Sequence, residues 1–203
     1  MTWDPVLCDL DGTLVDSAPA IVASLRVACE HVGVKLDPAA DLTWCVGPPL
    51  EDSLSQLIRR PDSLHPALAA YRASYLDQIG AGMSPMPGAI ETIQAMHAEG
   101  VTLAVVTYKP KAMASTIVQG SGFEGLFRYV VGRELDGDRR TKAELLSETL
   151  GRLRPHRGRP LYIGDHAEDH AAAVSCGVDY LQYGPATWSE ILEHVRGTTP
   201  ASR

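Results

Sequence analysis

The chain has 203 residues, of which 45% are hydrophobic and 21% are charged, and this composition is typical of a folded globular protein with a sizeable core. Its formal net charge of −7 argues against binding to nucleic acid polymers or to anionic membranes, because their phosphate groups attract basic surfaces. No segment has the length of a transmembrane helix, and no signal-like apolar core precedes the first strand. We therefore expect no membrane partner and a cytoplasmic location.

Four cysteines are scattered along the chain, at Cys8, Cys29, Cys45 and Cys176. None of them belongs to a C-x-x-C pair, so the sequence indicates neither a zinc site nor a redox motif. We interpret all four as reduced, mostly buried apolar residues.

The first predicted element is a short buried strand at the start of the segment Val6–Leu14. It stops at Asp9 and Asp11, whose side chains share one direction because side chains alternate along a strand. Gly12 allows the chain to bend there. An ordinary Asp-Gly turn explains Asp11 and Gly12, but it does not explain a carboxylate at Asp9. Two adjacent carboxylates repel each other, so the pattern favours a hard divalent cation.

Residues 15–84 are predicted to be helical throughout, apart from a short segment at 38–46 and the breaker Gly47-Pro48-Pro49. Asp16-Ser17 is the expected N-cap region of the first helix. Residues 80–88 contain several glycines and prolines and are expected to be a linker. This linker and residues 14–16 are the candidate hinges of the helical segment.

Beyond the linker, strands alternate with helices, which is typical of a parallel sheet with helices on both faces. Strands are predicted at 101–107, 129–131, 160–163 and 180–183, and helices at 89–98, 111–119, 141–150, 167–176 and 188–195. The predicted fold is α/β, with a Rossmann-like core formed by residues 1–14 and 85–203. Residues 15–84 are predicted to form an inserted all-helical cap domain above the sheet's carboxyl edge.

Four short signals fit the chemistry of phosphoryl transfer, and the strand-end signals are expected to meet at one edge of the sheet. A carboxylate can attack phosphorus, and a second can protonate the leaving alcohol. A hydroxyl and an ammonium can hold the remaining phosphate oxygens, and a further carboxylate can complete a magnesium shell. The signals are Asp9-x-Asp11-Gly12-Thr13, Thr107, Lys142 and Gly164-Asp165-x-x-x-Asp169.

In these motifs the chain resembles the haloacid dehalogenase superfamily, in particular phosphatases with a helical cap after the first strand. Within that branch it is most similar to phosphoglycolate phosphatase and 5′-nucleotidase-like members. Further segments that support this resemblance are Trp44–Leu50, Thr107–Pro110 and Glu134-Leu135-Asp136-Gly137.

The resemblance implies a role for each matching residue and Mg²⁺ as the cofactor. Asp9 is the implied nucleophile, and Asp11 is the implied general acid and base. Thr107 and Lys142 are expected to bind the transferring phosphoryl group, beside the phosphate-binding residues Gly12, Thr13 and Tyr108. The implied magnesium ligands are Asp9, Asp11 through its backbone carbonyl, and Asp165, while Asp169 orients that shell.

Several positions depart from the family's pattern. Tyr108 stands where relatives often have Asn or Ser, and His166 stands where Arg, Ser or Thr is more usual. Lys142 is followed by Ala143 where many relatives have proline. Lys109 is therefore an alternative phosphate-binding lysine, although Lys142 is preferred.

Two other clusters are compatible with a site but favour simpler interpretations. His166 and His170 are spaced to share a helix face with Asp169, as in a transition-metal site, but no third imidazole or cysteine accompanies them. The second cluster is a basic stretch, which we interpret as a solvated connection between elements rather than as an anion-binding site. Its members are Arg152, Arg154, His156, Arg157 and Arg159.

The cap is expected to select the substrate, and the sequence leaves two classes open. A substrate like phosphoglycolate requires a cation for its carboxylate, whereas a nucleoside monophosphate requires an aromatic platform such as Trp44 or Tyr108. Tyr71 and Tyr75 are expected to be packing residues. The candidate cations in the cap are Arg26, Lys35, Arg59, Arg60 and Arg72.

The predicted function is that of a Mg²⁺-dependent phosphatase acting on a small phosphate ester, as a monomer or a homodimer. Alternatives on the same scaffold are a sugar-phosphate mutase and a binding protein without activity. A dehalogenase is less favoured because a halide needs no acid such as Asp11. A phosphonate hydrolase needs a Schiff-base lysine, and nothing marks Lys35, the single lysine of the cap, for that role.

Overall fold

A five-stranded parallel sheet forms the centre of the computed structural model, which describes residues 3–80, 82–135, 137–184 and 186–197. The strand order is β3-β2-β1-β4-β5, so the strand that leads to Asp9 is the middle one. The strands are β1 (Trp3–Cys8), β2 (Leu103–Pro110), β3 (Tyr129–Arg133), β4 (Arg159–Gly164) and β5 (Asp179–Gln182). The predicted α/β class with a Rossmann-like core is confirmed.

Helices cover both faces of the sheet because the side chains of each strand alternate between two cores. On β1, Val6 and Cys8 pack in the core beneath α4, α5 and α8, whereas Leu7 packs in the core beneath α6 and α7. The helices are α1 (Ala18–His31), α2 (Leu50–Ile58), α3 (Leu64–Gly80), α4 (Ala89–Ala98), α5 (Lys111–Gly120), α6 (Lys142–Arg152), α7 (Ala167–Cys176) and α8 (Trp188–Arg196).

Strands β1 and β2 are longer than the sequence pattern predicts. β2 continues past Thr107 to Pro110, because it regains pairing with β3 at Arg133 after an irregularity in register. β1 begins at Trp3 and contains Pro5, and its register with β4 shifts between Trp3 and Val6. A proline has no N–H to donate, so it is tolerated where the ladder is interrupted.

The segment between β1 and α4 is not helical throughout. It contains α1, α2 and α3, with short 3₁₀ turns at Thr43–Cys45 and Pro61–Ser63. The irregular stretch after α1 is held by Arg26, which donates hydrogen bonds to the backbone carbonyls of Asp37, Pro38 and Ala40. None of the helices in the described part of the chain has the length and apolar character required to cross a membrane.

The two connections between this helical segment and the sheet run side by side. Asp16 N donates to Ser84 O at 2.9 Å, and Met86 N donates to Leu14 O at 2.9 Å. The candidate hinges therefore pair with each other, although Ala81 of the predicted linker lies outside the described residues. The division into a core of residues 1–14 and 85–203 and a cap of residues 15–84 stays a prediction.

The loop after β1 is anchored from the far end of the chain by Trp188, the first residue of α8. Its indole Nε1 donates a hydrogen bond to the carbonyl of Thr13 at 3.0 Å, and both residues are buried. The helix begins there because Thr187 and Glu190 form a capping box.

We expect Trp188→Phe to lower the free energy of unfolding by about 2 kcal/mol, because it leaves the buried Thr13 carbonyl without a donor and removes packed volume. Urea denaturation measures the loss. Trp44→Phe is the matched control, since Trp44 is 42% exposed and its replacement is expected to change stability by less than about 0.5 kcal/mol. Equal effects of the two replacements would contradict the anchoring role.

Candidate active site

Polar side chains from separate parts of the chain meet at the carboxyl edge of the sheet. Asp9 follows β1 directly, Thr107 lies on β2, and Asp165 follows β4. Lys142 reaches them from the first turn of α6, and its side chain is buried. Because parallel strands end at a common edge, this convergence follows from the sheet topology.

Three carboxylates form a group with the spacing of metal ligands. One oxygen each from Asp9, Asp165 and Asp169 lies within 4.8 Å of the others. Asp165 Oδ1 accepts a hydrogen bond from Thr13 Oγ1 at 2.8 Å, and Asp169 Oδ2 accepts one from the His166 amide at 3.1 Å. These bonds fix the direction of Asp165 and Asp169.

Tyr162 gives Asp169 a further contact from within the sheet. Its buried hydroxyl lies 3.0 Å from Asp169 Oδ1 and 3.1 Å from the carbonyl of Val106, so its single proton serves one acceptor at a time. Tyr162 is not among the site residues predicted from the sequence. The only signal for it was a hydroxyl-bearing side chain inside a predicted buried strand.

The two candidate lysines pair with different carboxylates. Lys142 Nζ lies 2.8 Å from Asp9 Oδ1 and 3.0 Å from Asp169 Oδ1. Lys109 Nζ lies 3.0 Å from Asp11 Oδ1. Each lysine therefore faces one of the two aspartates of the first motif.

The charges and the donor atoms of the site fit a divalent cation. Four carboxylates, from Asp9, Asp11, Asp165 and Asp169, face the ammonium groups of two lysines, so full ionisation of the carboxylates leaves two negative charges in a largely buried space. Within the described residues, the buried Oδ1 atoms of Asp9 and Asp11 accept no hydrogen bond of good geometry. Carboxylate oxygens are the ligands that Mg²⁺ and similar hard cations prefer.

Burial changes the protonation of these groups. It raises the pKa of Asp9 to about 7, a shift that the Lys142 ammonium opposes and that Asp169 and Asp11 increase. Burial also raises the pKa of Asp165, against the hydrogen bond from Thr13. Burial by itself would lower the pKa of Lys142, but Asp9 and Asp169 raise it above its usual value, so this lysine stays charged.

Gly12 is required where the loop after β1 passes Asp165. Its φ is +77°, and a Cβ on this residue would collide with the Asp165 carboxylate. Gly47, in the loop before α2, has φ +101°, and a Cβ there would collide with the His166 ring. The first glycine thus lets the loop approach the carboxylates, and the second lets the helical segment approach the edge of the site.

Tyr108 contacts Lys142 rather than open space. Its hydroxyl accepts a hydrogen bond from the Lys142 amide at 3.0 Å. The guanidinium of Arg133 lies 4.3 Å from the centre of its ring, and Lys142 Nζ lies 5.0 Å from the same centre. Tyr108 therefore orients the start of α6, and Arg133 occupies one part of the ring that a nucleoside base would need.

The loop before Lys142 is held by Arg140. This guanidinium pairs with Asp138 and Glu148 and donates to the Gly132 carbonyl. Thr141 and Glu144 then form a capping box at the start of α6. Asp136, which belongs to one of the motifs noted above, lies outside the described residues.

A cavity between the helical segment and the sheet opens at Asp11 and Lys109. Its walls include the guanidinium-bearing residues Arg72 and Arg133 and the aromatic residues Tyr71, Tyr75 and Tyr108. Among the described residues that line it, Trp44 and the cap cations Arg26, Lys35, Arg59 and Arg60 do not occur. Arg72 is thus the predicted cap cation that the structure brings to the site.

Comparison with known proteins identifies the family. The sequence model of the haloacid dehalogenase-like hydrolases matches residues 6–182. The chain belongs to the haloacid dehalogenase-like hydrolase family. The motifs at Asp9, Thr107, Lys142 and Asp165 all lie within the matched region.

Individual relatives carry names of several activities. The tyrosine-protein kinase PtkA of Mycobacterium tuberculosis is 37% identical over 180 residues, which are 88% of this chain and 61% of PtkA, so the chain spans about three fifths of that relative's length. The solved structure of PtkA superimposes with a TM-score of 0.80 at 35% identity, covering 90% of this chain and 84% of the PtkA chain. A 5′-nucleotidase of Pseudomonas aeruginosa is 31% identical over 94% of this chain and 86% of its own length. A plasmid-encoded phosphoglycolate phosphatase of Cupriavidus necator is 29% identical over 89% of this chain and 81% of its own length.

Two further clusters of this haloacid dehalogenase-like protein contribute no ligand atom to the carboxylate group of the described residues. His166 lies at the start of α7 with its ring Nε2 3.6 Å from Asp165 Oδ2, and the ring of His170 packs 5.1 Å from that of Tyr180. In the basic stretch, Arg152 pairs with Glu148 and Arg159 pairs with Asp179. Neither histidine contributes to the group of Asp9, Asp165 and Asp169.

The four cysteines are unpaired, and three of them are buried. Burial, with a contribution from Asp9, raises the pKa of Cys8 far above its usual value. Burial also raises the pKa of Cys45 to about 11. Both thiols are therefore protonated and poor nucleophiles at neutral pH.

We expect a divalent cation to stabilise the protein more at pH 8 than at pH 5. In the cation-free protein the pKa of Asp9 is raised to about 7, so the folded state keeps a proton that the unfolded chain has lost above about pH 4. The contribution of Asp9 to the free energy of unfolding therefore falls as the pH rises from about 4 to about 7. A cation whose binding requires ionised Asp9 is expected to stabilise the protein most above this pH range. Thermal melting with and without Mg²⁺ at both pH values measures the effect.

Asp165→Asn is expected to remove most of the Mg²⁺-dependent shift in melting temperature, because it removes the charge of one candidate ligand. Asp77→Asn is the matched control, since Asp77 is exposed on α3. A shift of equal size at both pH values, or one that Asp165→Asn leaves intact, would contradict this assignment.

Proposed function

We propose that this protein is a Mg²⁺-dependent phosphatase that hydrolyses a small phosphomonoester through an aspartyl-phosphate on Asp9. The observation that carries the proposal is the buried contact between Asp9 and Lys142. Asp9 also lies beside the carboxylate oxygens of Asp165 and Asp169, and Asp11 follows it two residues later. The names of relatives that span most of this chain support the reaction class. Four unpaired cysteines fit a reducing, cytoplasmic setting.

In the first step, Asp9 attacks the phosphorus of the bound ester and the bond from phosphorus to the ester oxygen breaks. Asp11, in its protonated form, gives its proton to that oxygen, and an alcohol leaves. Lys142 Nζ and the hydroxyl of Thr107 hold the remaining phosphoryl oxygens. The Thr107 oxygen accepts a hydrogen bond from the Lys109 amide at 3.2 Å, so its own proton is free for the phosphate.

In the second step, a water molecule attacks the phosphorus of the aspartyl-phosphate. Asp11, now ionised, takes a proton from that water, and the bond from phosphorus to the Asp9 oxygen breaks. Inorganic phosphate leaves, and both aspartates return to their starting forms. Closure of the helical segment over the site would exclude bulk water from the first step.

The proposed ligands of Mg²⁺ are the side chains of Asp9 and Asp165 and the backbone carbonyl of Asp11. Asp169 completes the carboxylate group, and its side chain is held by Tyr162 and His166. When bound, the cation supplies positive charge that offsets the phosphate oxygens and keeps Asp9 ionised at neutral pH. Lys142 remains charged in the same space and supplies the second positive contact.

Two arginines support a small substrate whose non-phosphate part is anionic, as in phosphoglycolate, although the carboxylates of Glu51 and Glu134 line the same cavity. Arg72 and Arg133 line the space next to Asp11, and guanidinium groups bind carboxylates through paired hydrogen bonds. A nucleoside monophosphate is the less favoured class, because Arg133 covers part of the Tyr108 ring and Trp44 lies outside the cavity lining.

Transfer of the phosphoryl group to a tyrosine hydroxyl is the second candidate function. It is favoured by the name of the PtkA relative, which is 37% identical over 88% of this chain. Asp9 would serve both functions as the residue that first receives the phosphoryl group. The kinase function takes it from ATP with release of ADP and passes it to a phenol, whereas the phosphatase takes it from a monoester with release of an alcohol and passes it to water. A mutase differs again, because its acceptor is another hydroxyl of a phosphosugar.

We expect wild-type protein to release inorganic phosphate from phosphate esters only with Mg²⁺, and Asp9→Asn to lower this rate by at least about 10³-fold, because the amide is not a nucleophile. Phosphate release from a panel of esters, including phosphoglycolate and nucleoside monophosphates, measures the activity. Asp77→Asn is the control on the protein surface and is expected to retain the wild-type rate.

Retained turnover in Asp9→Asn would contradict the assignment of the nucleophile. Absence of phosphate release from every ester would contradict the phosphatase proposal. A parallel incubation with ATP labelled at its terminal phosphate and a tyrosine peptide then decides between the kinase function and a silent binding protein.

We expect Arg72→Met to raise KM for phosphoglycolate about tenfold and to leave KM for methyl phosphate nearly unchanged, because a charged hydrogen bond to the carboxylate is lost. Steady-state kinetics on both esters measures the difference. Arg60→Met is the matched control, since Arg60 is exposed and outside the cavity lining. An equal rise in KM for both esters would indicate that Arg72 supports the site's structure rather than the substrate's carboxylate.

A further inference from the structure

A buried chain of contacts leads from the helical segment to Asp11. We propose that Lys109 and Tyr75 are positioning residues that hold the Asp11 carboxyl for proton transfer to the leaving group. They also make its position depend on α3. This inference rests on the phosphatase function proposed above, and it gives Lys109 a task distinct from the phosphate binding considered for it in the sequence.

The geometry of Lys109 is that of a bridge between two partners. Its Nζ lies 3.0 Å from Asp11 Oδ1, and it donates a hydrogen bond to the Tyr75 hydroxyl at 2.6 Å. The side chains of Lys109 and Asp11 are 7% and 10% exposed, and Tyr75 is 1% exposed. A buried charge pair with one further polar partner holds a defined position better than a solvated pair does.

The directions of the hydrogen bonds along this chain are mutually consistent. An ammonium group has donors but no acceptor, so the Tyr75 oxygen accepts from Lys109. The Tyr75 proton points to Met83 Sδ at 3.7 Å. The ring of Tyr75 also stacks on Tyr71 at 5.4 Å between centres, which leaves its hydroxyl little freedom to turn away.

The backbone fixes Lys109 from the side of the sheet. Its amide donates to Thr107 Oγ1, and β2 continues through Lys109 to Pro110. Tyr75, by contrast, belongs to α3 in the inserted segment. The contact between Lys109 and Tyr75 therefore joins the sheet to the insertion, and Lys109 itself contacts Asp11.

Asp11 needs such a holder because its neighbours do not provide one. Its buried Oδ1 lies 3.0 Å from Lys109 Nζ, an ion-pair contact without ideal hydrogen-bond geometry, and no other described residue donates a hydrogen bond to this oxygen. Lys142 is engaged with Asp9 and Asp169. Lys109 is thus the ammonium that pairs with the proposed acid, whereas Lys142 is the one that pairs with the proposed nucleophile.

The test compares esters whose leaving groups differ in their need for a proton. An alkyl phosphate requires protonation of its oxygen, whereas p-nitrophenyl phosphate leaves readily as a stabilised anion. We expect Lys109→Met to lower kcat by about 10²-fold on the alkyl ester and by less than about 10-fold on the aryl ester. Tyr75→Phe, which removes only the hydroxyl, is expected to lower kcat on the alkyl ester by about 3- to 10-fold with the same selectivity.

Matched controls and a rescue separate positioning from folding. Lys111→Met changes an exposed lysine at the start of α5, and Tyr129→Phe removes a hydroxyl at the first residue of β3, the end of that strand away from the site; both are expected to keep wild-type rates on both esters. Lys109→Arg restores a cation, so it is expected to recover part of the lost rate. Asp11→Asn combined with Lys109→Met is expected to be no slower than Asp11→Asn alone, because the two residues act in one step.

Equal losses on the two esters, a rise in KM without a change in kcat, or additive losses in the double variant would each overturn the inference. The first would indicate a structural role, and the second would indicate substrate binding. Wild-type protein that hydrolyses neither ester would instead contradict the phosphatase function, and the inference would fail with it.

Discussion

The structure depends on confining four carboxylates and two ammonium groups at the end of a buried parallel sheet. Burial favours the neutral form of a carboxyl, and it raises the pKa of Asp9 to about 7 even with Lys142 at 2.8 Å. The surrounding fold tolerates this site because the strands, Trp188 and the two capping boxes at Thr141 and Thr187 hold the loops that carry it. The remaining negative charge is what makes the site suited to a divalent cation.

Several contacts between the helical insertion and the rest of the molecule involve a residue near the site. Arg72 donates to the Leu135 carbonyl at 2.9 Å, Tyr75 accepts from Lys109, and Gly47 lies against His166. The cavity at Asp11 is therefore formed by both parts of the molecule. A change in how α3 sits on the sheet alters the cavity's walls and the Lys109 contact together.

The relatives reported above are named as a tyrosine-protein kinase, a 5′-nucleotidase and a phosphoglycolate phosphatase. Water, a tyrosine hydroxyl and a sugar hydroxyl all attack phosphorus in the same manner once it is attached to an aspartate. Under the proposed function, the residues that contact the non-phosphate part of the substrate include Arg72 and Arg133, which line the cavity beside Tyr108. The sheet's carboxylates thus lie within the region that the family model matches, whereas the proposed substrate contacts come from both the insertion and the sheet.

The sequence alone determined the parallel α/β core and the family, because strand ends, helix periods and the spacing of Asp9, Asp11 and Asp165 are local patterns. It predicted where the polar signals meet, since parallel strands finish at one edge. It did not predict that Lys109 pairs with Asp11, that Tyr75 is more than a packing residue, or that Tyr162 and Trp188 support the site. Apart from the contact between Tyr162 and Asp169, which are seven positions apart, those contacts join residues 34 to 175 positions apart. Only the tertiary structure, in which strand order and the packing of α3 and α8 bring these residues together, decided them.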